Sequence, residues 1–215
     1  MPQLLKNLSL ANKIWALCLF LIASLAVLGF SSLAIVSKLN SQLSILTEVE
    51  LPAVRTMTLL DMYHDGLRAI VFRSELASNQ GVPAEIEDVK KEFLEMSANM
   101  NKSLKELAEI NLDPQSKESV EASSQDIRDY ITFADNLIRE QFANKNSPEL
   151  GKLRKTFSNQ FKKLEVGLDK TGDFIETKAN EEKAKSNQLA SFSLNMTLVG
   201  LLAILALSLI ATTLA

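Results

Sequence analysis

Cysteine and histidine are nearly absent from this sequence of 215 residues, which contains one of each. Cys18 has no second cysteine with which to form an intrachain disulfide. One thiol and one imidazole, that of His64, are too few for a zinc cluster or a multi-histidine metal site. With seven glycines in all, the sequence contains neither a Walker A loop nor a dinucleotide-binding fingerprint. We therefore expect no metal and no cofactor, and a protein that is not an enzyme.

Acidic residues are missing from both ends of the chain, and basic residues are scarce there. All 26 acidic residues lie between Glu48 and Glu182, and 21 of the 23 basic residues lie between Lys38 and Lys185. The middle is therefore much more highly charged than a typical soluble domain, in which about a quarter of the residues are charged. Because acidic residues outnumber basic ones there, we expect no nucleic-acid partner.

The first uncharged stretch predicts a transmembrane helix over residues 14–36. About 20 apolar residues cross the hydrocarbon core of a bilayer as a helix, and Trp15 stands at the start, where interfacial aromatic residues are common. The alternative is a cleaved signal peptide, because Ser32-Leu33-Ala34 fits the small-x-small cleavage rule. The apolar region is longer than the roughly 7–15 residues of a signal peptide, so we favour an uncleaved anchor.

The second uncharged stretch predicts another transmembrane helix over residues 191–215. Lys6 and Lys13 make the N-terminus positive, and the positive-inside rule then places residues 1–13 in the cytoplasm. The central domain, residues 37–190, is expected on the other side, which is the periplasm in a Gram-negative cell. The sequence therefore predicts a multi-pass protein of the bacterial inner membrane.

Three breaks divide the central domain into four predicted helices, at about residues 38–79, 83–111, 114–144 and 148–190. Gly81 is placed to end the first helix as a left-handed C′ residue. Asp113 and Ser147 are placed to cap the third and fourth helices, with Pro114 and Pro148 in their first turns. A bend or restart is expected near Pro52, because an internal proline removes a helix hydrogen bond.

Each predicted helix carries one apolar stripe at spacings of three and four residues, as helices packed in a bundle do. No segment alternates with period two, so strands are not supported. Short connections between long helices make sequential helices antiparallel neighbours. The predicted fold is all-α, with two transmembrane helices flanking an up-down antiparallel periplasmic four-helix bundle. The stripes contain Met57, Leu60, His64, Leu67, Val71 and Ser74 in the first helix; Ile86, Val89, Phe93, Met96, Met100, Ser103, Leu107 and Ile110 in the second; Val120, Ile127, Tyr130, Ala134, Leu137 and Gln141 in the third; and Leu150, Leu153, Phe157, Phe161, Leu164, Leu168 and Ile175 in the fourth.

This layout resembles the sensory half of the bacterial methyl-accepting chemotaxis proteins whose ligand-binding domain is a four-helix bundle. The stretch from Leu4 to Trp15 is similar to the usual opening of such receptors. Residues 51–55, LPAVR, followed by 61–69, DMYHDGLRA, resemble an "MHDALR"-type stretch in the first bundle helix of one subgroup. Here Tyr63 intervenes and Gly66 replaces alanine.

The resemblance implies a homodimer that binds a small ligand near the membrane-distal part of the bundle, often at the subunit interface. It also implies that a small displacement of the last helix passes through the second anchor to a HAMP domain and a kinase-control hairpin. The sequence ends at Ala215, before such segments, so a fragment and a naturally shortened membrane protein are both open. Other open alternatives are the input module of a sensor histidine kinase or cyclic-dinucleotide enzyme, and a non-signalling structural protein.

Three side chains are candidate ligand contacts. Arg68 and Arg73 lie five residues apart in the first bundle helix. The guanidinium group of arginine can bind a carboxylate through two parallel hydrogen bonds. An organic acid, amino acid or aromatic acid is the ligand class that they favour, with pairing to surface carboxylates such as Asp65 as the alternative. His64 lies on the apolar stripe, where a packed core histidine and a pH-sensing one are alternatives. Phe157 and Phe161 are expected in the core, and would line the pocket of an aromatic ligand.

Overall fold

The computed structural model describes residues 10–214. Within these residues all regular secondary structure is helical, and there is no strand. The helices are α1 (Leu10–Ile45), α2 (Leu51–Gln80), α3 (Pro83–Glu109), α4 (Pro114–Ala143) and α5 (Leu150–Leu214). The chain divides into two compact parts, one comprising the residues up to Ile45 and from Glu182 onward, the other Leu46–Glu181. The first nine residues of the predicted cytoplasmic N-terminus, and with them half of the Leu4–Trp15 stretch, lie outside the described residues. The all-α prediction is confirmed.

The first part contains the two uncharged stretches. Each provides a helical segment long and apolar enough to cross a membrane, the first beginning at Ile14 and the second ending at Ile210, and neither apolar window is buried in protein. The two stretches approach each other closely at Gly200, where an added Cβ would lie 2.5 Å from a methyl group of Leu28. Small residues allow such close helix approach in apolar surroundings.

The second part begins with a π-helical turn, Leu46–Glu50, directly before α2. Pro52 follows in the first turn of α2, where its missing N–H costs no helix hydrogen bond. The predicted restart near Pro52 is thus confirmed. The π-helix is rare and occurs mostly as single turns within α-helices, as it does here.

The predicted breaks coincide with the ends of the helices, with one shift. Gly81 has φ 69° and its N–H donates to the carbonyl of Ala77, while the carboxylate of Asp113 accepts from the N–H groups of Gln115 and Ser116. Ser147 accepts from Glu149 N–H at 3.3 Å. However, α5 begins at Leu150 rather than at the expected position 148. The N–H of Leu150 donates to the carbonyl of Ser147, so residues 147–150 form a tighter turn before the α-helix.

The apolar stripes face one another and form the core of the second part. Nearly all of the predicted stripe residues are buried, and the rest pack at the edge of the core. Contacts across the core define the topology. Met57 and Glu75 of α2 lie against Gly172 and Arg154 of α5, so these two helices run antiparallel. The up-down antiparallel bundle predicted from the sequence is therefore the observed fold.

The contact between α4 and α5 includes a group of small polar side chains. The hydroxyl of Thr171 lies 2.8 Å from that of Ser119 and 3.3 Å from that of Ser123, and it donates to the carbonyl of Gly167 at 2.8 Å. A Cβ added at Gly167 would come within 3.3 Å of the Ser123 hydroxyl. Glycine at this position therefore allows the two helices to approach closely.

Candidate functional site

A small cavity of about 190 Å³ opens between α2 and α5, with α4 contributing to its inner wall. Its walls combine aromatic rings with two guanidinium groups. The lining residues are Arg68, Val71, Phe72 and Glu75 from α2, Leu137 and Gln141 from α4, and Arg154, Phe157, Ser158 and Phe161 from α5. An apolar pocket with a few convergent polar groups is the usual form of a small-molecule site.

Arg68 supplies the free positive charge of this cavity. Its guanidinium carbon lies 4.2 Å from the centroid of the Phe161 ring and 5.6 Å from that of Phe72. Among the described residues, Arg68 forms no ion pair, and the expected alternative of pairing with Asp65 is not observed. Cation–π contact orients the group without consuming its capacity to bind a carboxylate.

Arg154 faces the same cavity from α5 but is already neutralised. Its guanidinium donates to the carboxylate of Glu75 at 2.8 Å, which ties α5 to α2 at the mouth of the cavity. Both side chains are more than a third exposed, so the pair contributes little to stability. The lining as a whole therefore carries one uncompensated positive charge, that of Arg68.

His64 lies beneath this cavity in the centre of the bundle and is 1% exposed. Its imidazole stacks on Phe161, and the hydroxyl of Tyr130 donates to the backbone carbonyl of His64 at 2.9 Å. Within the part of the chain that the structure describes, its Nε2 atom has no hydrogen-bond partner. Burial lowers the pKa of His64, against opposing contributions that include Asp65, so the neutral form is favoured. The packing is that of a core histidine, with Phe161 as its link to the cavity.

Arg73 is not part of the cavity. Its guanidinium contacts Glu92 at 2.6 Å, Asp88 at 2.7 Å and Glu85 at 3.3 Å, all on α3. These hydrogen bonds raise the pKa of Arg73, and the one to Glu92 has the largest effect. Three carboxylates already surround this cation, which leaves it poorly placed to attract an anionic ligand. The geometry separates Arg68 and Arg73, which the sequence had grouped as candidate ligand contacts.

Comparison with protein families identifies the bundle. Residues 7–190 match the family described as the four helix bundle sensory module for signal transduction. The chain belongs to this family. The resemblance to the sensory domain of methyl-accepting chemotaxis receptors is thereby confirmed at the level of the sensory module. No curated protein and no solved structure gives a match. A sensory module with two helices apolar enough to cross a bilayer is consistent with a membrane protein.

Two further grooves of the sensory module differ from the cavity in charge. A groove of about 350 Å³ between α2 and α5 has Asp61, Asp169, Asp173 and Glu176 in its lining and no basic residue. A larger one of about 1100 Å³, between α2, α3 and the π-helical turn, is lined by both cations and carboxylates. Neither concentrates positive charge, so the Arg68 cavity is the best of the three for an anion.

The sequence pointed to part of this cavity and missed part of it. Arg68 was a candidate, and Phe157 and Phe161 were recognised as possible pocket walls. Phe72 and Arg154 were missed. The position of Arg154 beside Arg68 depends on how far α5 is shifted along α2, whereas Phe72 lies one helical turn after Arg68 on α2 itself. The ring of Phe72 is 56% exposed. A large aromatic residue off the apolar stripe of α2, four positions after an arginine, was the available signal.

Proposed function

We propose that this chain is the sensory part of a transmembrane chemoreceptor, which detects a small extracytoplasmic carboxylate and transmits the signal across the inner membrane. The bundle is the periplasmic domain, the N-terminus is cytoplasmic, and the working form is a homodimer. In this role the bundle binds and transmits and carries out no catalysis.

The observation that most directly supports a ligand-binding role is the unpaired guanidinium of Arg68 in an aromatic cavity shared by α2 and α5. A ligand held there would contact both helices at once. Because α5 extends unbroken from Leu150 to Leu214, a shift of its cavity-lining turn would be transmitted along the same helix into the second apolar stretch. Membership of a family of signal-transduction modules supports the same role.

A fusion experiment tests the proposal. Residues 1–215 are joined to the HAMP domain and kinase-control hairpin of a well-characterised chemoreceptor, and kinase activity is measured with and without a panel of carboxylates. We expect at least one carboxylate to change kinase activity and Arg68→Ala to abolish the response. The matched control is Arg139→Ala, which removes an exposed arginine that is paired with Asp135 on the same helix, α4. Equal loss of response in both variants, or none in either, would count against a sensory role for the cavity.

Orientation and assembly have their own measurements. Alkaline phosphatase fused after Asn111 is expected to be active, because that connection would be periplasmic, and an inactive fusion of normal abundance would reverse the orientation. Light scattering of the full chain in detergent is expected to give the mass of two protein copies. A monomer at all protein concentrations would argue against a homodimer.

A second candidate role is the input module of another transducer, either a sensor histidine kinase or a cyclic-dinucleotide enzyme. Function inferred from a shared fold is analogy, because such bundles serve several outputs. The coding sequence downstream of position 215 discriminates between them. A HAMP segment and a long heptad hairpin would support a chemoreceptor, whereas a catalytic domain would support the alternative. A structural membrane protein without a ligand remains the outcome if no compound binds.

A further inference from the structure

The ligand class can be narrowed by the charge, size and lining of the Arg68 cavity. We propose that this cavity binds a monocarboxylate whose body is a single flat aromatic ring. The inference rests on the proposed sensory function and refines it, since it selects one class among organic acids, amino acids and aromatic acids.

Charge selects a monoanion. Arg154 is held by Glu75 at 2.8 Å, so of the two guanidinium groups in the lining only that of Arg68 lacks a carboxylate partner. One carboxylate can pair with it bidentately. The second carboxylate of a dicarboxylic acid would lie near Glu75 or against phenylalanine rings, with a cost in repulsion or desolvation. The ammonium group of an amino acid would have to compete with Arg154 for Glu75.

The lining selects an aromatic body. Three phenylalanines, Phe72, Phe157 and Phe161, surround the site of Arg68, and Val71 and Leu137 complete the apolar walls. Aromatic rings favour other flat rings in offset-stacked or edge-to-face contact by about 0.5–1.5 kcal/mol beyond burial alone. The exposed ring of Phe72 offers an apolar surface that such a ligand would cover. A polyhydroxylated or strongly hydrated body would lose hydrogen bonds to water here.

Size limits the ligand to one ring. The cavity measures about 190 Å³, below the roughly 300–1,000 Å³ of sites that enclose drug-sized molecules. A ring with a directly attached carboxylate brings its charge close to its apolar face, as the arrangement of Arg68 over Phe161 requires. Benzoate is the simplest compound with these properties, and serves as the probe.

Calorimetric titration of the full chain in detergent micelles tests the inference with three probes: benzoate, its uncharged analogue benzamide, and succinate. We expect saturable binding of benzoate and at least tenfold weaker binding of the other two. Arg68→Ala should lose benzoate binding, and Arg68→Lys should weaken it severalfold, because lysine lacks the planar fork of arginine. Phe72→Ala should also weaken it, and its exposed ring makes a folding defect unexpected. Arg139→Ala is the matched control and should bind as the wild type does.

The possible failures are distinguishable. Binding of succinate, dependent on Arg68 and without binding of benzoate, would overturn the aromatic class and leave the proposed sensory function standing. Benzoate binding that survives both Arg68→Ala and Phe72→Ala would overturn the assignment to this cavity. No binding by any carboxylate, with far-ultraviolet circular dichroism showing a folded helical protein, would overturn the inference and the proposed function together.

Discussion

The imidazole of His64 and the ring of Phe161 stack face to face in the centre of the bundle, with centroids 4.2 Å apart and planes inclined by 10°. The guanidinium of Arg68 lies over the same phenyl ring, also at 4.2 Å. One side chain of α5 thus contacts both the buried histidine and the charged group of the cavity. A change at Arg68 can therefore reach the interior through a single ring.

The stability of the bundle is expected to fall as the pH drops below about 6.5, the ordinary histidine pKa. Burial lowers the pKa of His64 in the folded protein, so below that pH the unfolded chain binds a proton that the folded chain does not. This difference in proton binding costs the folded protein no stability well above pH 6.5. The free energy of unfolding then falls progressively as the pH drops from 6.5 towards the folded-state pKa. Thermal unfolding of the full chain in detergent between pH 5 and 8 measures it. His64→Phe, which retains a ring against Phe161, should show a smaller dependence, and an identical pH profile would refute the assignment.

Removal of the Tyr130 hydroxyl should destabilise the bundle by about 1 kcal/mol. This buried hydroxyl donates to the backbone carbonyl of His64 at 2.9 Å, and a hydrogen bond of this kind contributes roughly 0.5–1.5 kcal/mol. Tyr130→Phe removes the bond and keeps the ring, so a lower thermal midpoint is expected. Tyr63→Phe is the matched control, because Tyr63 is only partly buried. A midpoint unchanged in Tyr130→Phe would mean that the bond makes no net contribution.

Neutralising Asp61 should stabilise the protein at neutral pH. Burial and the nearby carboxylates of Asp65, Asp169 and Glu165 raise the pKa of Asp61, with His64 acting in the opposite direction. A raised folded-state pKa means that stability is greatest below the ordinary value of 3.8 and falls as the pH rises through the shifted pKa. Asp61→Asn should therefore raise the thermal midpoint at pH 7 and give no gain at pH 3.

The control for Asp61 is Asp135→Asn, which removes a carboxylate paired with Arg139 at 2.8 Å. Because that carboxylate has a favourable partner, its removal should give no increase in the midpoint at pH 7. An equal increase in both variants would indicate a general effect of net charge rather than repulsion around Asp61.

Alanine at position 172 is expected to raise stability by about 0.5–1 kcal/mol. Gly172 lies inside α5, and glycine in a helix interior costs about that much relative to alanine. An added Cβ would meet only Cγ of Met57 at 3.8 Å, an ordinary contact distance. Gly66→Ala makes a useful comparison, since its Cβ would lie 2.9 Å from the end of Met96. Thermal unfolding should show a larger gain for Gly172→Ala, and a loss there would point to a need for glycine.

The fold was predictable from the sequence because periodicity, caps and breaks all operate within single helices. The stripe from Val89 to Leu107 determines which face of α3 is buried, and Asp113 with Pro114 determines where α4 begins. None of these signals requires knowledge of another helix. The one shift, at the start of α5, arose because residues 147–150 adopt a tighter turn that Ser147 and Pro148 also favour.

The candidate site was less predictable because it depends on how the helices are aligned with one another. Arginine at positions 68 and 73 looks equivalent along α2. Only the placement of Glu85, Asp88 and Glu92 opposite Arg73 makes that cation a structural one. Conversely, nothing near Arg68 in the sequence indicates that residues 69 to 93 positions away, on α4 and α5, supply the other walls of its cavity.

The hydroxyl group of Thr171 has a consequence for movement along the bundle axis. It can exchange hydrogen bonds among Ser119, Ser123 and the carbonyl of Gly167, all within 3.3 Å. Bulky interdigitated side chains would have to separate before α5 could slide past α4. A short hydroxyl such as that of Thr171 can instead move from the hydroxyl of one α4 serine to that of the next. At this contact, an axial step of α5 would replace one hydroxyl partner on α4 with the other, while the bond from Thr171 to Gly167 lies within α5 and would be kept.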